Sequence, residues 1–240
     1  SAASDVYKRQ NKYKAICDSI NPKEGDHILE IGCGWGGFME YAIKKRQVKV
    51  TGLTISKAQQ TFVQKRLFES GLSERASILL KDYRTEDSKY DGVASIEMFE
   101  AVGEKYWPVY FQSLQNLMKN GARSTLQIIT IADELFPDYR KRVDFIQKYI
   151  FPGGMLPSMA ALDEQIAKVS LENVNTKYFG TSYSKTLRLW HDRFNSVWHE
   201  INSGKFDLRF KRMWNFYLAS CAAVFNSKTG DVVQITLKKI

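Results

Sequence analysis

The stretch 28-ILEIGCGWGGF-38 decides the fold class, because an apolar run ends there in a turn that holds four glycines. The run ILEI predicts a buried strand, and the segment GGFMEYAIKKR after the turn has the apolar spacing of a helix. Glycine permits positive φ and leaves room for a ligand close to the backbone. A strand, a glycine turn and a helix in this order are typical of an open α/β sheet, which binds ligands beyond the carboxyl ends of its strands.

The same alternation of strands and helices continues along the chain. Ser56 and Gln59 have the spacing of a capping box and predict the start of a helix that Gly71 ends. We expect further helices at 11–20, 105–119, 159–169, 183–202 and 207–226, and further strands at 48–54, 77–82, 90–97, 123–131, 171–179 and 232–237. The pattern predicts a Rossmann-like, mostly parallel seven-stranded sheet with helices on both faces. Residues 132–160 break the rhythm and predict a helical insertion over the active edge of the sheet.

Composition limits the classes of protein without choosing among them. The chain has 240 residues, a net charge of +9 and three cysteines, and it contains no CxxC pair. The cysteine and histidine spacing suggests neither a disulfide framework nor a metal site, and a reducing, cytoplasmic setting fits best. The positive charge suits nucleic acid, an anionic membrane surface or an acidic substrate, and it equally suits a solvated basic surface. No nucleic-acid-binding module is recognisable, so we expect no nucleic-acid partner.

The glycine turn favours S-adenosylmethionine (SAM) over a dinucleotide. Glu30 precedes Gly32, Gly34 and Gly36 in an acidic-x-G-x-G-x-G pattern, which lacks the G-x-G-x-x-G spacing of dinucleotide sites. Trp35 fills the turn where a pyrophosphate needs room. We expect the three glycines to approach the cofactor and Glu30 to lie near its ammonium group.

The ends of the next two strands offer side chains for the nucleoside part of SAM. We expect Thr54 and Gln59 to meet the ribose. Asp82 can accept a hydrogen bond from the adenine amino group, and the ring of Tyr83 can cover the adenine face. The alternative for Asp82 is an ordinary turn residue.

Several later segments resemble one family, the cyclopropane-fatty-acyl-phospholipid synthases with the related mycolic acid cyclopropane synthases. The glycine turn alone is similar to any class I methyltransferase. The matching segments, in order, are VTGLTISKAQ, KDYR, SIEMFEAVGEKYWPVYF, YIFPGGMLPS, FKRMWNFYLASCAAVF and DVVQITL. The resemblance covers residues 11–240 and implies a single SAM-dependent methyltransferase domain. It makes 132–160 and 183–226 the lid and insertion elements around a lipid site.

The resemblance implies a reaction and a set of catalytic residues. SAM donates a methyl group to a cis double bond of a phospholipid acyl chain, and a bound bicarbonate ion takes a proton as the cyclopropane ring closes. The family pattern assigns Glu100 and Tyr183 to the bicarbonate site, with a main-chain contact at Ile129. Gln127 stands where many members have histidine, and its amide can still donate a hydrogen bond. Without the resemblance, Glu100 is equally well interpreted as an acid at a helix start.

The start of the chain departs from the family. Members carry a Y-S-[CS] motif before the first helix, and no such motif precedes Asn11. We interpret residues 1–10, SAASDVYKRQ, as a non-native or disordered tail on an N-terminally truncated chain. One alternative is therefore an inactive fragment. The other is a lipid C-methyltransferase that does not close the ring, because ring closure depends on the geometry of the pocket.

A lipid substrate implies contact with a membrane surface. Residues 138–151 combine basic and apolar side chains, as expected for a segment on anionic headgroups: Arg140, Lys141, Arg142 and Lys148 with Phe145, Ile146, Tyr149 and Phe151. The alternative is a solvated face that covers the site. We expect a cytoplasmic protein at the inner face of the membrane, and the sequence leaves a homodimer open.

Overall fold

The computed structural model describes residues 2–201, 204 and 206–240. The chain divides into two compact units. The first comprises Ser1–Ile128, Asp163–Thr176 and Gln234–Ile240, and the second comprises Ile129–Leu162 and Lys177–Val233. Both segments expected to surround the substrate, 132–160 and 183–226, fall within the second unit.

Seven strands form one sheet in the order β3-β2-β1-β4-β5-β7-β6. They are β1 His27–Ile31, β2 Lys49–Thr54, β3 Ala76–Leu80, β4 Tyr90–Ile96, β5 Met118–Ile131, β6 Leu171–Tyr178 and β7 Gly230–Lys239. The strands from β1 to β5 pair in parallel. The expected seven-stranded, mostly parallel fold is confirmed.

Ten α-helices connect or follow these strands in the described part of the chain. They are α1 Ala2–Ile20, α2 Gly37–Arg46, α3 Lys57–Glu69, α4 Trp107–Leu117, α5 Phe136–Tyr139, α6 Phe145–Tyr149, α7 Met159–Ile166, α8 Gly180–Ser196, α9 Trp198–Ile201 and α10 Leu208–Asn226. Over the described residues, none of these helices combines the length and apolarity needed to cross a bilayer.

The core of the first unit explains why the glycine turn is rigid. Strand β1 is buried along most of its length, and Phe38, Met39 and Ile43 of α2 pack with it and with Ile16 of α1. Burying a large apolar side chain contributes about 1.5–3 kcal/mol. The turn between β1 and α2 is therefore anchored on both sides by core packing.

Three element boundaries differ from the sequence prediction. Helix α1 begins at Ala2, nine residues before its expected start. Helix α4 ends at Leu117 because β5 already begins at Met118. The dipeptide Asn120-Gly121 after the expected helix 105–119 is typical of a helix end, whereas Gly121 adopts φ 74° inside β5.

Two expected helices are divided. The charged segment 138–151 forms two short helices, because Asp144 starts α6 with a capping box to Gln147. The helix expected over 183–202 begins at Gly180 and ends at Ser196, and Val197 separates it from α9. Residue 202, the last of that predicted helix, lies outside the described residues.

Candidate active site

An open cleft of about 560 Å³ lies at the carboxyl ends of four adjacent strands of the first unit. Its lining comes from the residues that follow β1, β2, β3 and β4, in the region where parallel sheets bind ligands. Six of the residues expected to bind SAM line it: Gly32, Gly34, Thr54, Gln59, Asp82 and Tyr83. Glu30 and Gly36 do not line the cleft.

Thr54 and Gln59 act as one hydrogen-bonded unit at the end of β2. The Thr54 hydroxyl donates to Oε1 of Gln59 at 2.7 Å, and it accepts from the backbone N–H of Ser56 at 3.1 Å. Ser56 caps α3 by accepting from the backbone N–H of Gln59 at 3.3 Å. The expected capping box is therefore only half formed, because the Gln59 side chain bonds to Thr54 and faces the cleft instead.

Asp82 and Arg84 form a fixed ion pair at the end of β3. Nε and Nη2 of Arg84 donate to the two carboxylate oxygens at 3.0 and 2.6 Å, and the Arg84 backbone N–H adds a bond of 2.9 Å. These hydrogen bonds hold the pKa of Asp82 below its usual range. Asp82 is therefore an ionised, oriented hydrogen-bond acceptor. Next to it, Tyr83 packs edge-on against the buried Tyr110, with ring centroids 5.5 Å apart.

The glycines of the turn serve two different purposes. A Cβ atom on Gly34 would meet nothing within 4 Å, so the cleft is open beside its backbone. A Cβ atom on Gly36 would lie 2.7 Å from Cγ1 of Val63 in α3, so this glycine permits close packing of turn and helix. Cys33, directly before Gly34, is 3% exposed, and burial raises its thiol pKa to about 12.

Glu30 lies in the protein interior, where it is 3% exposed. Burial raises the pKa of this carboxyl well above its usual value, against the opposing effects of Lys12 and of a hydrogen bond from the Met39 backbone. Oε2 has no hydrogen-bond partner among the described residues and is shielded from solvent. Glu30 thus contacts the first turn of α2, and it does not line the cleft.

The sequence analysis missed Glu97, which lines the cleft beside the glycine turn. We had placed it in the fourth strand, but β4 ends at Ile96 and Glu97 adopts φ 52°. A non-glycine residue in this left-handed region costs roughly 1–2 kcal/mol. Its position directly after a strand could have identified it as a candidate, because Thr54 and Asp82 were chosen as candidates by the same criterion.

Glu97 is held by a buried polar chain. Nε2 of Gln127 donates to Oε1 of Glu97 at 2.6 Å, and Nε2 of Gln234 donates to Oε1 of Gln127 at 3.0 Å. Lys12 of α1 forms an ion pair with the same Glu97 oxygen at 3.3 Å. Gln127 and Gln234 are each 1% exposed, so this chain is sheltered from water. The structure thus brings Gln127 into contact with a carboxylate of the protein itself.

Glu100 lies in a single helical turn, Phe99–Ala101, next to the cleft-lining residues Ala101 and Val102. Phe99 packs edge-on against Tyr110, with centroids 4.9 Å apart. Burial raises the pKa of Tyr110, and the nearby charges of Tyr83 and Glu100 add to that increase. Glu100 therefore belongs to an aromatic wall of the first unit.

Tyr183 and Ile129 belong to the second unit. Tyr183 lies in the first turn of α8 and packs edge-on against Phe225 of α10 at 5.7 Å. Tyr183 and Ile129 both pack against a buried cluster that contains Leu187, Leu218 and Val232. The helix α8 begins here because Asp231 accepts from the Gly180 backbone N–H at 2.7 Å.

The groups that line the cleft fit the nucleoside and amino-acid parts of SAM. Oriented acceptors stand at Thr54–Gln59 and Asp82, an aromatic ring stands at Tyr83, and the turn is open beside Gly34. Together with the parallel sheet, these features define a class I SAM-dependent methyltransferase. The chain belongs to the mycolic acid cyclopropane synthetase family, whose model matches residues 6–235.

Relatives with assigned activities carry out related lipid chemistry. The chain is 38% identical to the tuberculostearic acid methyltransferase UfaA1 of Mycobacterium tuberculosis, over 95% of this chain and 54% of that protein. It is 37% identical to the cyclopropane-fatty-acyl-phospholipid synthase of Escherichia coli K12, over 96% of this chain and 58% of that protein. The chain therefore spans little more than half the length of these relatives.

Solved structures agree with the fold and the family. The cyclopropane synthase MmaA2 of Mycobacterium tuberculosis superimposes with a TM-score of 0.87 at 28% identity, covering 95% of this chain and 83% of that one. The mycolic acid cyclopropane synthase CmaA1, solved with SAH and CTAB, gives a TM-score of 0.87 at 27% identity with the same coverage.

Proposed function

We propose that this chain binds SAM in the cleft of the first unit and transfers a methylene group to a cis double bond of a phospholipid acyl chain, closing a cyclopropane ring. The observation that carries the proposal is the cleft itself, whose hydrogen-bond acceptors and aromatic ring follow the adjacent strands β2 and β3, beside the open glycine turn after β1. Membership of the mycolic acid cyclopropane synthetase family supports the lipid substrate.

Each part of the cleft has a role in holding the cofactor. Bound SAM supplies an electrophilic methyl group for the alkene. Asp82 accepts a hydrogen bond from the adenine amino group, Tyr83 covers the ring, and the Thr54–Gln59 pair orients the ribose. Fixing these contacts beforehand lowers the entropy lost on reaching the reactive geometry.

The ring-closing step needs a proton acceptor. With SAM bound, the π electrons of the alkene would form a bond to the methyl carbon as its bond to the sulfonium sulfur breaks and SAH leaves. Loss of a methyl proton would then let the C–H electron pair close the ring onto the resulting carbocation. On the family pattern a bicarbonate ion takes this proton. Glu100, Tyr183 and the Ile129 backbone are the residues that we propose to hold it; the Gln127 amide, expected from the family pattern to join them, is bonded to Glu97 and Gln234 instead.

A second candidate is methylation without ring closure. The support is the 38% identity to a tuberculostearic acid methyltransferase. The two reactions share the cofactor site and the first bond-forming step, and they differ in where the proton is lost. Mild hydrogenation of the isolated lipid product distinguishes the two reactions. A methylene branch contains a C=C bond and takes up hydrogen, whereas a cyclopropane ring is retained.

We also propose that the second unit contacts an anionic membrane surface through residues 138–151. The segment exposes Val143 at 74%, Tyr149 at 48% and Phe151 at 56%. Lys148 lies 5.3 Å from the centroid of the Tyr149 ring. Exposed rings beside cations are typical of segments that lie among lipid headgroups.

Calorimetric titration of S-adenosylhomocysteine (SAH) into the 240-residue chain tests the cofactor site. We expect saturable binding that Asp82→Asn weakens about tenfold, because it removes one charged acceptor. Asp18→Asn is the matched control, since Asp18 pairs with Lys14 on the surface of α1. Absence of binding by the unmodified chain would favour an inactive fragment.

The catalytic residues are tested separately from binding. We expect Glu100→Gln and Tyr183→Phe to lower lipid product formation about a hundredfold or more while SAH affinity stays within about twofold. Equal losses of SAH affinity and product formation would mean that these residues bind the cofactor and do not act in catalysis.

A further inference from the structure

Glu97 occupies the end of the cleft opposite the adenine-binding residues. The strand order β3-β2-β1-β4 places Asp82 at one end, Thr54 next, then the glycine turn, and Glu97 last. Adjacent strands lie about 4.8 Å apart, so four strand ends span roughly 14 Å. If the nucleoside lies over β3 and β2, the amino-acid part of SAM lies over β1 and β4, beside Glu97.

The lining contains two acidic residues among those the structure describes, Asp82 and Glu97. Arg84 binds both carboxylate oxygens of Asp82. Glu97 is the acid beside the glycine turn, and its side chain is 33% exposed in the cleft. The residue expected from sequence to meet the ammonium group, Glu30, is 3% exposed and lies outside the lining.

The local structure holds the Glu97 carboxylate in place. The backbone N–H of Glu97 donates to the Gln127 carbonyl at 2.8 Å, and the Gln127 side chain donates to the carboxylate at 2.6 Å. Gln234 fixes the orientation of that amide, since its own N–H group donates to Oε1 of Gln127. A residue with φ 52° that is bonded through both backbone and side chain is typical of a strained functional position.

We propose that Glu97 binds the ammonium group of the amino-acid part of SAM, with Gln127 and Gln234 as the residues that position its carboxylate. The inference rests on the proposed SAM site and adds a residue that neither the sequence analysis nor the family pattern assigned. Gln127 and Lys12 both contact Oε1 of this carboxylate, so its position is fixed before the cofactor enters. A charge-assisted hydrogen bond to an ammonium group is roughly twice as strong as a neutral one, so the loss of this carboxylate should be measurable.

Calorimetric titration of three adenosyl compounds shows which group of the cofactor Glu97 contacts. SAH carries both the ammonium and the carboxylate group, S-adenosyl-3-thiopropylamine carries only the ammonium, and 5′-methylthioadenosine carries neither. We expect Glu97→Gln to weaken the first two about 10- to 100-fold and to leave 5′-methylthioadenosine within about twofold. Glu40→Gln is the matched control, because Glu40 of α2 pairs with Lys44 of α2 and Arg66 of α3, outside the cleft lining.

Glu97→Gly guards against a folding artefact. Glycine relieves the cost of φ 52° and so offsets the hydrogen bond that Gln127 loses; this variant should stay folded, with a melting temperature close to that of the wild type, and still lose affinity for both ammonium-bearing compounds. Equal weakening of 5′-methylthioadenosine, or unchanged SAH affinity in both variants, would overturn the proposal. Failure of the unmodified chain to bind any of the three compounds would instead refute the SAM site.

Discussion

A Cβ atom on Gly36 would lie 2.7 Å from Cγ1 of Val63, so the glycine turn and helix α3 are in direct contact. Gly36 also adopts φ 76°, which an alanine rarely does. We expect Gly36→Ala to lower the free energy of unfolding by roughly 2–4 kcal/mol, from left-handed strain and overpacking together. Urea denaturation followed by circular dichroism measures this loss.

Gly71→Ala is the control for backbone strain alone. Gly71 has φ 68° and nothing within 4 Å of its added Cβ atom. We expect a loss of about 1–2 kcal/mol for this variant. Equal losses for the two variants would mean that the contact with Val63 adds nothing.

Glu86 makes stability depend on acid pH. Burial alone would raise its pKa, but hydrogen bonds from Ser88, Lys81 and Tyr90 outweigh burial and lower the pKa to about 2. A depressed pKa contributes stability above the unfolded value, and this contribution is lost as the pH falls. We expect the unfolding free energy to fall by up to about 3 kcal/mol between roughly pH 5 and pH 2 from this group.

Denaturation of the wild type and of Glu86→Gln across that range isolates the effect. The substitution removes the titrating group, so the slope attributable to Glu86 should disappear and the variant should be the less stable form at pH 6. Parallel pH profiles for the two proteins would show that other carboxyl groups account for acid sensitivity.

The basic segment of the second unit predicts charge-dependent vesicle binding. Replacing Arg140, Lys141 and Arg142 by glutamine should weaken binding to phosphatidylglycerol vesicles roughly a hundredfold, at about 1 kcal/mol per charge. Lys14, Lys57 and Lys65, exposed on α1 and α3, give a control triple substitution of the same charge. Co-sedimentation measures both, and equal effects would indicate general electrostatic attraction instead of a defined surface.

Most of the fold, and the cleft-lining residues that follow β1, β2 and β3, could be predicted from sequence. Gly34, Thr54 and Asp82 each follow a recognisable apolar strand, and parallel topology brings successive strand ends to one edge. The boundary at Met118 could not be predicted, because Asn120-Gly121 is a helix-stop signal and the positive φ of Gly121 inside a strand depends on tertiary pairing.

The Glu97 end of the cleft was harder to predict for a different reason. Glu97 follows β4, whereas Gln127 and Gln234 belong to β5 and β7, and a hydrogen bond between Gln127 and Gln234 joins residues 107 positions apart. A single sequence carries no local signal for such a contact. For Glu30 the sequence predicted the position of the glycine turn but not the direction of the side chain, which is buried against α2.

The most direct test of the central claim is mass spectrometry of phospholipids after incubation with SAM that carries a deuterated methyl group. The protein is the product of the complete gene, and the vesicles contain cis-monounsaturated phosphatidylglycerol. The proposal predicts lipids that gain one carbon with two deuterium atoms and that resist mild hydrogenation, together with SAH. Formation of no labelled lipid by a protein that binds SAH would contradict the account.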